Sequence, residues 1–143
     1  MATDAVRALV DAGTVRPAEA DRAAANRDLA AARAHLESAA LLVGPDPTGG
    51  FVMAYDATRK AITAHLRANG FRVRKGPGEH ERTAAYAIAA FDPAIADHLD
   101  ALDEMRRLRH QSEYGARLIV PEELHVALVH ARAIVAAVER DLT

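Results

Sequence analysis

The sequence predicts an all-α protein, an antiparallel helical bundle, and three observations predict it. Alanine is far above its usual share while aromatic residues make up only 4% of the chain; alanine is the best helix former and a poor strand former. Apolar residues recur at three- and four-residue steps over long stretches, the period of one helix face. Proline and glycine gather in a few clusters that separate those stretches. A chain of 143 residues, 50% hydrophobic and 27% charged, fits one domain, because a second core would leave each half near the lower limit of independent stability. Residues 1–143 therefore read as one helical domain, with 1–16 as an N-terminal extension carrying a short helix.

Each element has its own signal. Asp4 to Asp11, with Val6, Leu9 and Val10, is a short amphipathic helix ending at Gly13. Arg16–Pro17 opens a long helix to about Val43, proline being favoured in a first turn; its stripe is Ala25, Leu29, Ala32, Leu36, Ala39 and Val43. The run GPDPTGG, from Gly44 to Gly50, is expected to be a non-helical connector. A second long helix follows from about Phe51 to Asn69, with Phe51, Tyr55, Thr58, Ile62 and Leu66 on its inner face. Asn69–Gly70 stops it, since glycine takes the left-handed conformation without penalty. Phe71 to His80, FRVRKGPGEH, is a basic, glycine-bearing loop, and a short helix runs from about Glu79 to Ala90. Asp92 caps and Pro93 starts a third long helix, to about Tyr114, stopped by Gly115. Pro121 opens the last, with Leu124, Leu128, Ala131, Val135 and Val138 facing inward. Four long helices with short connectors make an antiparallel bundle the economical arrangement.

Composition also removes whole classes of function. The net charge of −2 gives no bulk attraction to nucleic acid or anionic membrane, so any such binding needs a local patch. The chain has no cysteine, which excludes disulfides, thiolate metal sites and thiol nucleophiles. No apolar run reaches a membrane span, and MATDAVRALV lacks the plan of a signal peptide, so a cytoplasmic, soluble protein is expected. Sixteen of the eighteen basic residues are arginine, which suits phosphate recognition and equally reflects a GC-rich genome. His35, His65, His98, His125 and His130 show no metal-ligand spacing, and no phosphate loop, dinucleotide fingerprint or nucleophile elbow is present. No cofactor and no metal are expected.

The third long helix breaks the apolar pattern. Ile95, Leu99 and Leu102 share one face at 100° per residue, and continuing that face gives Arg106, Arg109 and Glu113. Alternatively the stripe drifts to Met105 and Leu108, leaving the arginines solvated near the helix C-terminus, where cations suit the dipole.

The stretch Arg106-Arg107-Leu108-Arg109-His110-Gln111-Ser112-Glu113-Tyr114 resembles the Arg-x4-6-His motif of the HEPN (higher eukaryotes and prokaryotes nucleotide-binding) superfamily. AYDATRKAITAHLRANGFRV resembles that family's other recognisable helix, followed by a glycine-containing loop and a histidine, here His80. The likeness covers roughly residues 20–141. Arg59-x5-His65 and Arg74-x5-His80 also satisfy the spacing; position at the end of the penultimate long helix singles out Arg109–His110. The chain departs from the pattern, because Tyr114 stands where the family's histidine is expected and His110 occupies the polar position after the arginine.

The resemblance implies a dimerising helical bundle that binds RNA or nucleotides, in which many members are metal-independent endoribonucleases and toxins paired with a nucleotidyltransferase, and others are noncatalytic. Metal-free RNA cleavage needs a base for the 2′-hydroxyl and a cation for the phosphorane. Arg109 is the candidate cation. A phenol such as that of Tyr114, with an ordinary pKa of about 10, is a poor base at neutral pH, whereas an imidazole such as that of His110 suits the task. His110 and Tyr114, one turn apart, share a face; Arg109 and Tyr114 lie about 140° apart and converge only if the helix ends or a second protomer contributes.

The candidate catalytic residues are thus Arg109, His110 and Tyr114, and the candidate phosphate or RNA ligands are Arg106, Arg74, Lys75 and His80. The wider basic set Arg67, Arg72, Arg74, Lys75 and Arg82 around Gly76–Pro77–Gly78 either tracks an RNA backbone or is a solvated loop balanced by Glu79 and Glu81. Asp56, Arg59 and Lys60 read as a solvated face. Alanine stripes bury little area, and an arginine-bearing inner face is awkward for a lone bundle, so a homodimer is expected. The expected function is an RNA- or nucleotide-phosphate-binding protein of toxin–antitoxin or stress/defence type with weak or no cleavage; the alternative is an endoribonuclease toxin using Arg109 and His110. RNA or nucleotide and a nucleotidyltransferase are the expected partners, with no membrane.

Overall fold

Short polar side chains start the first helices in the computed structural model, which describes residues 3–143. Thr3 accepts from the Val6 amide at the head of α1 (Asp4–Asp11), Asp21 from Ala24 at α2 (Arg22–Leu41), and Asp46 from Gly49 at α3 (Pro47–Ala68). Each occupies an amide that helix geometry leaves without a partner. Gly70, at φ +78°, closes α3. There follow α4 (Glu79–Ala90), a 3₁₀ turn at Pro93–Ile95, α5 (Ala96–Asp100), α6 (Leu102–Tyr114) and α7 (Pro121–Leu142). The strands, β1 (Arg16–Pro17) and β2 (Phe71–Arg72), pair antiparallel with Arg16 opposite Arg72 and Pro17 opposite Phe71. The protein is mostly helical, as its composition predicts. Met1 and Ala2, part of the expected N-terminal extension, lie outside the described residues.

Three expected boundaries are corrected. Pro17 does not open α2: Arg16–Pro17 is extended, and the helix waits for the Asp21 cap at Arg22. Fully buried Val15 anchors this segment, and the Ala18 amide donates to Gly70 O at 2.8 Å, so tertiary pairing overrides proline's first-turn preference. The GPDPTGG run is not wholly a connector: Asp46 caps and Pro47 begins α3, so Pro47 to Gly50 are helical. The expected helix from Pro93 to Tyr114 is divided into the 3₁₀ turn, α5 and α6. Its buried residues Leu99, Leu102 and Met105 step by three, and a step of three drifts around an α-helix but stays aligned in a tighter turn.

Helices α2, α3 and α7 form the centre, with 20, 22 and 22 residues respectively. Ala25, Ala32, Ala57, Ala61 and Ala131 are fully buried at their contacts, which lets the backbones approach closely. Leu124, Leu128 and Ile134 of α7 supply the bulk, each stabilising by about 1.5–3 kcal/mol on burial. One polar network crosses this core. His65 of α3 meets the Tyr86 hydroxyl of α4 through Nδ1 at 2.7 Å and Asp141 of α7 through Nε2 at 3.0 Å, and its ring lies 4.7 Å from that of Phe91. Among the described residues no helix is long and apolar enough to cross a membrane.

Candidate functional site

Helix α3 carries a phenol among alanines. Tyr55 sits on the buried stripe, 3% exposed, between Ala54 and Ala57. Its hydroxyl reaches 2.7 Å to Nδ1 of His80, the second residue of α4. The loop before His80 is held rather than loose. Arg82 donates to Arg74 O at 2.6 Å, the Gly76 amide donates to Glu79 at 3.3 Å, and Gly78 turns into α4 at φ +82°. On its other side, Nε2 of His80 lies 3.8 Å from Asp103 of α6.

The protonation pattern follows from burial. Burial pushes the Tyr55 hydroxyl up, outweighing the lowering by Arg59, Arg109 and Arg106. Burial, aided by Arg106, pushes the His80 imidazole down, against the opposing pull of Glu81 and Asp103. At neutral pH both groups are therefore uncharged, and with the Nε2–H of His80 facing Asp103 the Tyr55 hydroxyl donates a hydrogen bond to Nδ1.

Arginines close around this pair. Arg109 of α6 lies with Nε 3.7 Å from Asp56 and an Nη 3.3 Å from Glu113, its guanidinium 5.7 Å from the Tyr55 ring centroid. Arg59 approaches the same Asp56 oxygen at 3.9 Å, and Arg106 pairs with Asp103 at 3.2 Å. The Nε atoms of Arg106 and Arg109 and one Asp56 oxygen are buried with no hydrogen-bond partner. Beside the cluster opens a cavity of about 190 Å³, lined by Tyr55, Arg59, Thr63, Glu79, His80 and Thr83 among others. Of the cluster's cations Arg59 and His80 line this cavity, and a guanidinium with an imidazole N–H can bind an oxyanion.

The expected residues are thus divided among three places. Arg106, Arg109 and His80 gather around Tyr55. The His110 and Tyr114 rings meet at a tilt of 43°, 4.8 Å between centroids, on the outer side of α6, Tyr114 being 76% exposed. Arg74 and Lys75 line a separate groove. Both readings of the stripe hold in part, for Met105 is buried and Leu108 packs on the core, yet the arginine beside them, Arg109, is only 29% exposed. Asp56 and Arg59 belong to the cluster rather than to a purely solvated face. Sequence reasoning missed Tyr55 and Asp103 as site residues; the signals available were a lone phenol in an alanine-rich stripe and a carboxylate three residues before Arg106. Among the described residues no group of three or more His, Cys, Asp or Glu side chains is placed to hold a metal ion.

No family model, no curated protein and no solved structure matches this chain.

Proposed function

We propose that this is a HEPN-like RNA- or nucleotide-phosphate-binding protein with weak or no cleavage, of toxin–antitoxin or stress/defence type. The observation that supports it is the cation cluster at Tyr55–His80: Arg59 and His80 line a cavity of about 190 Å³, and the Nε atoms of the neighbouring Arg106 and Arg109 are buried without a hydrogen bond, that of Arg109 lying 3.7 Å from Asp56. A buried donor left without a hydrogen bond costs about 1–3 kcal/mol, which a phosphate oxygen recovers when the arginine side chain turns to meet it. In this reading Arg106, Arg109 and His80 hold a phosphate, Arg74 and Lys75 extend the contact, and the HEPN-type bundle works as a cytoplasmic homodimer, with a nucleotidyltransferase as the partner.

A second reading, the metal-independent endoribonuclease using Arg109 and His110, is supported by the exposed His110–Tyr114 ring pair directly after Arg109. It needs a second protomer to bring a phosphate to both, since within one chain Arg109 turns toward Asp56.

The test is RNA binding by fluorescence anisotropy together with product analysis. Arg109→Ala is expected to lower affinity about thirtyfold, the equivalent of about 2 kcal/mol, with the helical circular-dichroism spectrum retained. Unfolding without any loss of ligand would make the cluster a structural network and end this reading. His110→Ala then separates the two functions: loss of cleavage with binding retained identifies the nuclease, and a slight loss of binding with no change of product identifies the binding module.

A further inference from the structure

The N-terminal segment builds a second basic surface. β1 places Arg16 directly opposite Arg72 of β2, and like charges facing each other across an antiparallel pair repel. The pairing is held on the flank that follows β1, where the Ala18 amide donates to Gly70 O at 2.8 Å and the Asp21 amide to Arg67 O at 3.0 Å. The two arginines open onto a groove of about 650 Å³ that Arg27, Arg67, Arg74 and Lys75 also line. Two carboxylates line it as well, Glu19 and Asp21, and Asp21 is committed to the cap of α2 through the Ala24 amide. Arg67 is paired with Asp28 at 3.0 Å. Among the described residues no ion pair engages Arg16, Arg27, Arg72, Arg74 or Lys75.

The groove is not isolated. A smaller cavity of about 110 Å³ shares Arg67, Phe71, Arg72, Val73 and Lys75 with it, and shares Thr63 and Glu79 with the pocket at His80. On α3 it is lined by Thr63, Leu66 and Arg67. From Tyr55 to Arg67 that helix rises about 18 Å, the length of roughly five stacked nucleotides at about 3.4 Å each.

We infer that the groove between β1, β2 and α2 is an oligophosphate-binding site, in which a run of phosphates bridges Arg16 and Arg72 and relieves their repulsion. The groove stands on its own cations; only its continuation to His80 rests on the phosphate reading of that site. A phosphodiester strand and a nucleoside polyphosphate present the same chemistry, so both serve as probes: a fluorescein-labelled oligouridylate long enough to span the groove, and adenosine 5′-tetraphosphate.

The double variant Arg16→Ala/Arg72→Ala is expected to bind the probe about tenfold or more weakly. For the strand, the slope of log affinity against log salt should fall by about 0.7 per lost contact. Without anion and at low salt its Tm should equal or exceed that of the parent, because a like-charge pair has been removed; that separates lost binding from lost fold. Loss for the strand, the tetraphosphate or both supports the site and names its source of phosphate. If the double variant binds both probes as the parent does while Arg109→Ala binds neither, the groove is overturned and the proposal for the arginine cluster stands. If the double variant loses binding and Arg109→Ala does not, the groove stands alone. If the parent binds neither probe, both fail.

Discussion

Tyr55 and His80 decide the chemistry of the site at the level of single atoms. Burial disfavours both the phenolate and the imidazolium, so both groups stay neutral, and with Nε2–H turned to Asp103 the phenol donates a hydrogen bond to Nδ1. Nitrogen-15 NMR of the imidazole is therefore expected to show the Nε2–H tautomer of His80 at neutral pH. Tyr55→Phe should leave a mixture of tautomers, and an unchanged spectrum would mean that the 2.7 Å contact does not set the tautomer. His65 follows the same physics in the core. Burial pushes it down, against the raising effect of Asp141. His65→Leu removes the partner of the buried Tyr86 hydroxyl, so it should cost about 1–3 kcal/mol in a denaturant titration.

Among the elements, how much could be read in advance depended on whether the determinant was local. α1, α4 and α7 fall where periodicity puts them, because their starts are written locally: Asp4 behind the Thr3 cap, Glu79 behind the left-handed Gly78, and Pro121 in the first turn of α7. α2 does not, because Val15 and the Ala18–Gly70 bond are long-range facts that compete with a local proline preference. The same split runs through the site. Arg106, Arg109 and His80 were legible as charge on an otherwise apolar face or as a histidine after a glycine loop, whereas Asp103 and Tyr55 matter only because α6 and α4 converge on α3. The junction of β1 with α3 gives a sharp test at Gly70. A Cβ there would sit 3.1 Å from Ala18 O at φ +78°, so Gly70→Ala should destabilise by about 1–2 kcal/mol. By calorimetry that is a fall in Tm of about 2–8 °C; an unchanged Tm would show that the β1–β2 junction is not held in this geometry.

For the molecule as a whole, three histidines couple stability to pH. His65, His80 and His130 are all pushed down, chiefly by burial, His130 further by His98, whose Nδ1 lies 3.0 Å from its own. An unfolded imidazole titrates near about 6.5. Above that value both states are neutral and stability is at its full level. Below it the unfolded chain takes up protons that the fold accepts less readily, so stability declines until the folded groups titrate in turn. Tm should therefore fall between about pH 7.5 and pH 5.5, and the His65→Leu and His130→Ala variants should each show a shallower decline. A decline of parental steepness in both would place the coupling elsewhere.

The central claim is that a phosphate enters at His80 beneath Arg106 and Arg109, on the inner side of α6. Imidazole nitrogen-15 NMR during titration with a short oligoribonucleotide tests it most directly, because His80 and His110 report separately. The account predicts that the Nε2 resonance of His80 moves with added RNA, that His110 moves less, and that both responses vanish in Arg109→Ala. A His80 resonance that stays fixed while His110 shifts would contradict it and place the ligand on the outer His110–Tyr114 face.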